Sequence, residues 1–539
     1  MAGVGNNGTA ANKRSLPDEA DISDHQPATT KRRNDDSAQP KVSSSQEESS
    51  ALKSILTGNG ADDETAISSF FETTWQVEPQ VYRRNKTEDA SCPLTRAVDL
   101  GWDGLASLLE RSRKRFDGLN NTDDASPTAA AAAAADASPT AAGTLDPPLF
   151  FRDQTPVQFP EVQSMYNANP FAAYLDGCSV VLNHADQLCP RLAALCEDLQ
   201  QSFPHCYCNG YLTPPGAQAV PPHADDRDVF VVQLLGEKVW KVYKHVPIAY
   251  PYPHEQVGKG GLDVPPEILV GATVIETTLR KGDLLYMPRG WVHEARTESN
   301  QPSFHATVAI ATHDWTLAGN MTEIISRTLA SNESLRLAVD RRVGNASSEG
   351  TELSAASGGS ESDLLSLQAQ IDTAIEEIRK QVTAKQIERQ LGIKYAAQRK
   401  MCRGARMTLI GNDQTGQTTS EGKNEAVVGP EASRRVFTGT TVRAATDEER
   451  ASVRPPPCPA GAADAASDRG LTVREETSLA LMTIVQCLKQ DRSLKVKVSD
   501  MRSLVADSNV DESGTEMVCT LSIMAFIRAA VELGAVAVV

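Results

Sequence analysis

The chain has 539 residues and a formal net charge of −17. Its length exceeds what one hydrophobic core usually fills, so we expect two or three structural units joined by polar segments. The acidic balance excludes nucleic-acid binding by bulk positive charge and is compatible with a basic protein or peptide partner. Ten cysteines without a second pair at zinc-finger spacing indicate reduced thiols in an intracellular protein, and the sequence has no apolar run long enough to cross a membrane.

The first 61 residues are rich in Ser, Asp, Asn and Gly and contain almost no large apolar side chains. Such a segment cannot bury enough surface to offset the entropy of ordering, so we predict a disordered tail over 1–61. Two basic clusters lie within it, Lys13-Arg14 and Lys31-Arg32-Arg33. A split nuclear-import signal and ordinary solvated charge explain them equally well.

An ordered unit is predicted over 62–312. Near its start, the stretch "AISSFFETTWQ" brings Phe70, Phe71 and Trp75 close together, and this aromatic group predicts an anchor onto a core. A low-complexity insertion is predicted at about 117–148, where polyalanine lies between two Ser-Pro pairs. We assign no function to that insertion.

The triplet "HAD" occurs twice, starting at His184 and at His223. The first copy precedes an amphipathic helix predicted over 189–203, so we expect Asp186 or Asn183 to cap helix amides there. The second copy is followed by β-rich runs instead, "DVFVVQLL", "EKVWKVY", "ATVIETTL", "DLLYMP" and "HATVAIAT". Short strands at this spacing predict a sandwich or barrel.

A single His-x-Asp is a weak signal in a chain with nine histidines. Iron(II) in oxygenases is held on one face by two histidines and one carboxylate, so a third ligand must come from a distant strand. The stretch "GDLLYMPRGWVHEA" supplies it, because it follows the second metal-binding motif of cupin barrels at Gly282, Pro288, Gly290 and His293. The pattern predicts a metal site formed by His223, Asp225 and His293.

Lys238 lies in the predicted strand that follows the second "HAD" copy, with Val239 and Trp240 beside it. A lysine on the inner face of an apolar barrel is costly unless it meets an anion. The far carboxylate of 2-oxoglutarate would be that anion. For Lys238 alone an outward-facing strand position is the better explanation, but the three predicted metal ligands reverse this preference and favour the inward one.

Beyond residue 312 the pattern becomes helical. Over 313–400, apolar residues recur on one face of a predicted helix, which indicates a buried seam within the chain or against a second copy. The seam consists of Leu364, Ile371, Ile375, Ile378 and Val382.

The remainder, 401–539, contains polar insertions and ends in predicted helix, short strand, helix, helix and strand, the order of a winged-helix unit. Its near balance of acidic and basic residues favours protein contact, so we expect no sequence-specific nucleic-acid binding.

Four stretches together resemble the JmjC ribosomal oxygenases, the nucleolar histidyl-hydroxylase family also described as lysine demethylases. They are "NGYLTPPGAQAVPPHADD", "QLLGEKVWKVY", "LLYMPRGWVHEA" and "SFHATVAIAT", and the likeness is densest from Asp176 to Thr312. The resemblance implies a mainly β catalytic domain of the cupin/JmjC double-stranded β-helix type at 62–312. It also implies an α-helical dimerisation region at 313–400, a C-terminal winged-helix domain at 401–539, a homodimer and a nuclear, nucleolar location.

The resemblance further implies the roles of individual residues. Iron(II) would be held by His223, Asp225 and His293, while Asn209 and Lys238 would contact 2-oxoglutarate. His305 falls where members place a cosubstrate-pocket histidine, and Tyr211 would face the substrate.

One departure from the family pattern concerns the cosubstrate pocket. Where a serine is expected four residues after His305, this chain has Ala309, and Thr307 would supply the hydroxyl instead.

The implied activity is protein oxidation that uses iron(II), 2-oxoglutarate and dioxygen. The first expected substrate is a histidine of a large-subunit ribosomal protein, and the alternative is an N-methyl-lysine of a histone. A non-catalytic scaffold for chromatin or ribosome assembly is the hypothesis from another class. No membrane partner is expected.

Overall fold

The computed structural model describes residues 50–56, 63–84, 90–120, 147–259, 261–298, 301–310, 312, 315–336, 338, 361–415, 426–453, 475–501 and 520–539. The two basic clusters, the tail up to residue 49 and the polyalanine run lie outside these ranges. No helix within them is long and apolar enough to cross a lipid bilayer.

Strands β1 to β11 build the centre of the molecule. In chain order they are Gln80–Tyr82, Leu149–Arg152, Thr155–Pro156, Ser179–Leu182, Cys206–Thr213, Asp228–Leu235, Glu237–Tyr243, Thr273–Arg280, Leu284–Met287, His293–Arg296 and Ser303–Ile310. Among the described residues the larger sheet has eight strands in the order β1-β9-β6-β11-β5-β4-β2-β3, and the smaller has three in the order β10-β7-β8. The five β-rich runs predicted as strands correspond to β6, β7, β8, β9 and β11.

The two sheets enclose an apolar core. It is formed by Tyr207, Val229, Val231, Trp240, Val242, Leu279, Leu285, Met287 and Ala309, which come from both sheets. Successive side chains of β6 point to opposite faces of the larger sheet. Both faces are covered, so β6 is buried along its whole length. Val229 and Val231 face the smaller sheet, whereas Phe230 and Val232 join the core beneath the helices.

Helices cover the other face of the larger sheet. Helices α1 to α7 are Ala51–Leu56, Asp63–Ser69, Pro93–Val98, Gly101–Asn120, Pro160–Ala168, Pro170–Leu175 and Pro190–Leu199. A short eighth helix, α8 (Pro266–Leu269), instead packs against Tyr243 and Val292. Most of those after α2 begin with proline, which suits the first turn because its amide positions have no intrahelical partner.

The predicted aromatic anchor lies in a short π-helix, Phe70–Thr74, directly after α2. The ring centroid of Phe70 is 6.1 Å from that of Phe230 and 5.2 Å from that of Tyr286. Trp75 lies 5.8 Å from Tyr286. The anchor is therefore confirmed for Phe70 and Trp75, while Phe71 remains 37% exposed.

The predicted disordered tail, 1–61, extends too far along the chain. Helix α1 buries Leu52 and Ile55 in the core beneath the larger sheet. Its first amide, the N–H of Ala51, donates to Oδ2 of Asp198 in α7 at 2.6 Å. This helix is stabilised by a carboxylate 147 positions away, so local composition alone did not reveal it.

Three longer helices follow β11. They are α9 (Leu317–Ser331), α10 (Glu361–Gln381) and α11 (Ala384–Thr415). The predicted boundary at residue 400 falls inside α11, which contains no proline that would end it there. The helical region therefore continues to Thr415.

The predicted seam of α10 is only partly covered. Ile371 and Ile375 are 42% and 41% exposed, whereas Ile378 and Val382 are half-buried. The side chain of Leu364 lies outside the described residues.

A small α/β unit ends the chain. Its helices α12 to α15 are Pro430–Ser433, Asp447–Ser452, Glu475–Gln490 and Thr520–Glu532, and its strands β12 to β14 are Thr441–Ala444, Val496–Lys497 and Val536–Val538. The strands form a sheet in the order β13-β12-β14. The middle helix of the predicted order falls largely outside the described residues.

Charged and polar contacts join this unit to the helices beneath the larger sheet. The hydroxyl of Thr438 donates to Asp103 in α4 at 2.7 Å. Arg528 in α15 lies 3.5 Å from Glu110 in α4, and its guanidinium is stacked over Phe171 in α6.

Candidate metal centre

The second "HAD" copy and the start of β10 are paired as neighbouring strand segments. The N–H of His223 donates to the carbonyl of His293 at 3.1 Å, and the N–H of His293 donates back at 2.9 Å. Residues directly opposite each other in an antiparallel pair place their side chains on the same face. This pairing brings residues 70 positions apart in the sequence to one point between the two sheets.

The turn before β10 explains the glycine of the cupin motif. Gly290 has a φ of +88°, which is unfavourable for other residues, and a Cβ here would lie 2.5 Å from the carbonyl oxygen of Ile248. The N–H of Gly290 donates to the carbonyl of Asp225 at 2.9 Å. The turn therefore fixes the backbone of the "HAD" segment as well as the direction of His293.

Three donor groups converge at this point. One ligand atom from each of His223, Asp225 and His293 lies within 4.8 Å of the others. The Nε2 atoms of His223 and His293 each lie 3.7 Å from an oxygen of Asp225. Each Nδ1 lies close to a backbone carbonyl, that of Pro221 at 2.8 Å and that of Trp291 at 3.0 Å. Hydrogen bonding by Nδ1 leaves both Nε2 lone pairs directed at the centre.

The protonation states of the three groups suit metal binding. Burial lowers the pKa of both His223 and His293, and Lys259 lowers that of His223 further. Burial works to raise the pKa of Asp225, but the Lys259 ammonium and the two histidines outweigh it, and the pKa lies well below the usual value. Two neutral imidazoles and one carboxylate are the donors of the facial site that holds iron(II) in oxygenases.

A cavity of about 40 Å³ lies beside these donors, between the two sheets. Seven of the eight predicted site residues line it, and Asn209 does not. The seven are Tyr211, His223, Asp225, Lys238, His293, His305 and Thr307.

Lys238 is buried inside the barrel, as the inward-facing alternative predicted. It is 2% exposed, and its Nζ donates to the hydroxyl of Thr213 at 2.9 Å. Burial lowers its pKa to about 7. No carboxylate of the described residues lies within ion-pair distance of it, so the position favours an anionic ligand.

His305 contributes a second polar group to the cavity. Its ring is parallel to that of Tyr211, with centroids 4.9 Å apart, and Trp240 meets it edge-on at 5.3 Å. Its Nδ1 is buried without a hydrogen-bond partner in the part of the chain that the structure describes. Burial, followed by Lys238 and His293, lowers the pKa of His305 well below the usual value. A neutral imidazole with a free ring nitrogen fits a polar cosubstrate.

One of the three remaining positions lines the cavity, namely Thr307, whereas Asn209 and Ala309 do not. Thr307 is opposite Asn209 in the β5–β11 pair and lines the cavity. The Oδ1 of Asn209 accepts a hydrogen bond from the N–H of His184 at 3.1 Å. Ala309 packs in the core between the sheets.

The first "HAD" copy has a structural role. His184 has a φ of +51° and precedes a single 3-10 turn, Ala185–Gln187. The Oδ1 of Asp186 accepts a hydrogen bond from the N–H of Cys208 in β5 at 2.9 Å. The expected capping of the following helix is therefore wrong: α7 begins at Pro190 without a side-chain cap.

Lys259 lies at the site but is not among the residues predicted from the sequence. Its Nζ lies 2.5 Å from Oδ1 of Asp225, although it follows that residue by 34 positions in a loop. The signal available in the sequence was the glycine-rich run "VGKGGL", where glycines permit close approach of two backbone segments.

Residues 182–317 match the JmjC domain family. The matched segment contains all three converging donors, the whole smaller sheet and four strands of the larger one, β5, β6, β9 and β11. The chain therefore carries a JmjC domain, a β-rich fold of the cupin type, and the resemblance inferred from the sequence is confirmed for this segment.

Proteins similar in sequence share this segment. The bifunctional lysine-specific demethylase and histidyl-hydroxylase NO66 of Drosophila melanogaster is 39% identical over 139 residues, which are 25% of this chain and 20% of that protein. The protein of the same name from Drosophila mojavensis is 37% identical over 139 residues, 25% of this chain and 15% of that protein. The match thus spans a fifth or less of the length of these relatives.

Solved structures of an Escherichia coli protein are also similar. The ribosomal oxygenase YcfD is 15% identical, with a TM-score of 0.33, and the similarity covers 88% of this chain and 98% of that one. A structure of YcfD with cobalt and 2-oxoglutarate is 16% identical, with a TM-score of 0.33 and coverage of 87% and 97%.

Proposed function

We propose that this chain is an iron(II)- and 2-oxoglutarate-dependent protein oxygenase. The observation that carries the proposal is the convergence of two neutral imidazoles and a carboxylate beside a buried lysine. In this proposal His223, Asp225 and His293 hold the metal. Iron(II), when bound, supplies the oxidative chemistry together with dioxygen and 2-oxoglutarate.

The chain's own residues bind and orient the cosubstrate. Lys238 pairs with the far carboxylate of 2-oxoglutarate, and the hydroxyl of Thr213 holds the ammonium in place. His305 offers its free Nδ1, and Thr307 offers a hydroxyl in place of the serine that the family pattern has at the position of Ala309. Asn209, opposite Thr307 in the β5–β11 pair, is a further proposed contact to 2-oxoglutarate, and Tyr211, which lines the cavity, faces the substrate.

Entry of the cosubstrate requires the cavity to widen. Its volume of about 40 Å³ is close to the share of one water molecule in the liquid, roughly 30 Å³. Rotation of lining side chains such as Tyr211 and Met287 would enlarge it. The apolar wall formed by Val229 and Val231 then excludes water from the reacting groups.

The proposed substrate is a histidine in a large-subunit ribosomal protein. Support comes from the name of the Drosophila relatives, which includes histidyl-hydroxylase. The same name includes lysine-specific demethylase, so an N-methyl-lysine of a histone is the second candidate. In both cases the chain would hold a C–H bond of a basic protein segment near the metal.

Peptide mass spectrometry tests this proposal directly. Purified chain is incubated with iron(II), 2-oxoglutarate and ribosomal extract, and histidine peptides are searched for a gain of one oxygen. The same reaction with methylated histone peptides reports demethylation. The His223→Ala variant is the control. No 2-oxoglutarate binding by metal-loaded wild type would instead favour a non-catalytic scaffold.

The exposed part of α10 supports a homodimer. Ile371 and Ile375 of the seam are accessible, and Leu365 in the same helix is 66% exposed. Burial of such a surface against a second copy would stabilise association. We expect light scattering to report a dimer at micromolar concentration. The double variant Ile371→Asp, Ile378→Asp should be monomeric; a wild-type monomer would contradict the proposal.

The C-terminal α/β unit is proposed to be a winged-helix domain used for protein contact. Its helices flank a small antiparallel sheet, which is compatible with that class. A nuclear and nucleolar location is proposed with it. Imaging of tagged chain with and without substitution of Lys31-Arg32-Arg33 tests the location, and titration with random and ribosomal DNA tests the expected lack of sequence-specific binding.

A further inference from the structure

Lys259 makes the two oxygens of Asp225 unequal. Its Nζ donates to Oδ1 at 2.5 Å, and the same oxygen lies 3.7 Å from Nε2 of His223. The other oxygen, Oδ2, lies 3.7 Å from Nε2 of His293. One oxygen thus carries a charged hydrogen bond, while the other remains directed at the histidine of β10.

The loop that carries Lys259 is attached to the segment that carries the ligands. The N–H of Ala224, between His223 and Asp225, donates to the carbonyl of Val257 at 2.8 Å. The side chains of Ala224 and Val257 share a small buried core with Tyr243, Ile268 and Val292. The position of Lys259 is therefore set by backbone bonding and packing two residues before it.

Gly258 allows the loop to lie directly against the ligand segment. It has a φ of +80°, and a Cβ there would lie 2.4 Å from the carbonyl oxygen of Pro222 and 2.7 Å from Cα of His223. Only glycine fits such an approach without movement of the backbone. The N–H of Gly258 also donates to the carbonyl of Leu262 at 2.6 Å, which closes the loop.

A carboxylate ligates a metal through one oxygen or through both. Ligation through both oxygens of Asp225 would occupy an additional position, and a facial site works because positions remain open for its reactants. We infer that Lys259 is a positioning residue that restricts Asp225 to ligation through one oxygen and so keeps that additional position open. This inference rests on the proposed metal-dependent function.

Water proton relaxation on the manganese(II)-loaded chain tests the inference. A facial triad leaves about three of six positions to water, so ligation through both oxygens should lower the number of exchangeable waters by about one. We expect this loss, about a third of the relaxation enhancement, in Lys259→Met and its restoration in Lys259→Arg. Lys244→Met is the matched control, because Lys244 is exposed and does not line the cavity.

Catalytic constants give an independent measurement. In Lys259→Met we expect kcat to fall at least tenfold, with less than a threefold change in the apparent KM for 2-oxoglutarate. Equal water numbers in wild type and Lys259→Met would overturn the inference and leave the proposed function standing. Loss of manganese binding by Lys259→Met would also overturn it, since the lysine would then assemble the site. A wild type that binds no metal would overturn the proposed function as well.

Discussion

The two "HAD" copies have the same three residues in two different surroundings. At the first copy, the carboxylate of Asp186 accepts a hydrogen bond from the N–H of Cys208, and the ring of His184 is tilted against that of Tyr207 with centroids 5.0 Å apart. At the second, Asp225 faces two imidazole nitrogens and a lysine. Nothing within the triplet distinguishes them.

The difference lies in the segment that pairs with each copy. The second copy pairs with the start of β10, whose tight turn at Gly290 presents His293. The first copy leads into a 3-10 turn, and its backbone is fastened to Asn209 instead. A ligand pair becomes a metal site only when a distant segment supplies the third donor on the same face.

Substitution of single residues by alanine should produce the largest difference in turnover between the two copies. We expect His223→Ala or Asp225→Ala to abolish succinate formation, because two remaining donors cannot form the facial arrangement. His184→Ala should retain turnover close to wild type. Measurement of succinate by mass spectrometry, with circular dichroism to confirm folding, compares the variants. Equal loss in all three folded variants would contradict the assignment of the metal to the second copy.

Removal of the Lys238 ammonium should have the next largest effect. A buried charged hydrogen bond to the far carboxylate of 2-oxoglutarate contributes on the order of 2–5 kcal/mol, so Lys238→Ala should weaken binding at least tenfold. Metal content should stay unchanged, because Lys238 is not among the converging donors. Calorimetry on manganese-loaded protein measures both. Equal affinities in wild type and variant would place the lysine outside the binding interaction.

The pH dependence of binding follows from the same lysine. Burial lowers the pKa of Lys238 to about 7, and only its protonated form pairs with a carboxylate. Above that pH, binding must take up a proton, so affinity for 2-oxoglutarate should fall as pH rises, at most about tenfold per pH unit. Calorimetry at pH 8 in buffers of different ionisation enthalpy measures the proton uptake. Lys238→Met should show weak binding without this uptake; the same uptake in the variant would assign it to another group.

Substitution of Asp186 should lower the stability of the fold and leave turnover per folded molecule unchanged. Asp186→Ala leaves the buried N–H of Cys208 without this acceptor, a loss of about 1–3 kcal/mol in the free energy of unfolding. Asp186→Asn keeps an acceptor oxygen and should lose less. Urea unfolding measures the stability, and turnover per folded molecule should match wild type. A selective loss of turnover in Asp186→Asn would show that the first copy contributes to the reaction.

Much of the site could be predicted because its signals are local. The spacing from Gly282 to His293 reflects the turn that β10 requires, and the β-rich runs are dense in the β-branched and aromatic residues that favour strands. Lys238 stood out because a lysine followed by Val239 and Trp240 in such a strand must face either solvent or an anion. These inferences needed only one strand or one turn at a time.

The remaining features depend on contacts between distant segments. Lys259 reaches Asp225 through a loop whose position is set by Ala224, and the first amide of helix α1 donates to Asp198 of α7. Asp186 bonds a strand amide where a helix cap was expected. Side-chain hydrogen bonds to a neighbouring helix and to a neighbouring strand are both available to Asp, so the sequence did not decide between them.

The smallest expected effect concerns the hydroxyl of Thr307 in β11, which is proposed to replace that of the serine expected at position 309. The side chains of His305, Thr307 and Ala309 point to one face of β11, because residues two apart in a strand share a face. Thr307 lines the cavity, whereas Ala309 packs between the sheets. Loss of one neutral hydrogen bond costs about 0.5–1.5 kcal/mol, so Thr307→Val should weaken 2-oxoglutarate binding roughly two- to tenfold. Ala309→Ser should leave binding neutral or slightly tighter. Calorimetry on both variants decides which position supplies the hydroxyl: a marked gain from Ala309→Ser, with no loss in Thr307→Val, would show that Thr307 does not replace the serine.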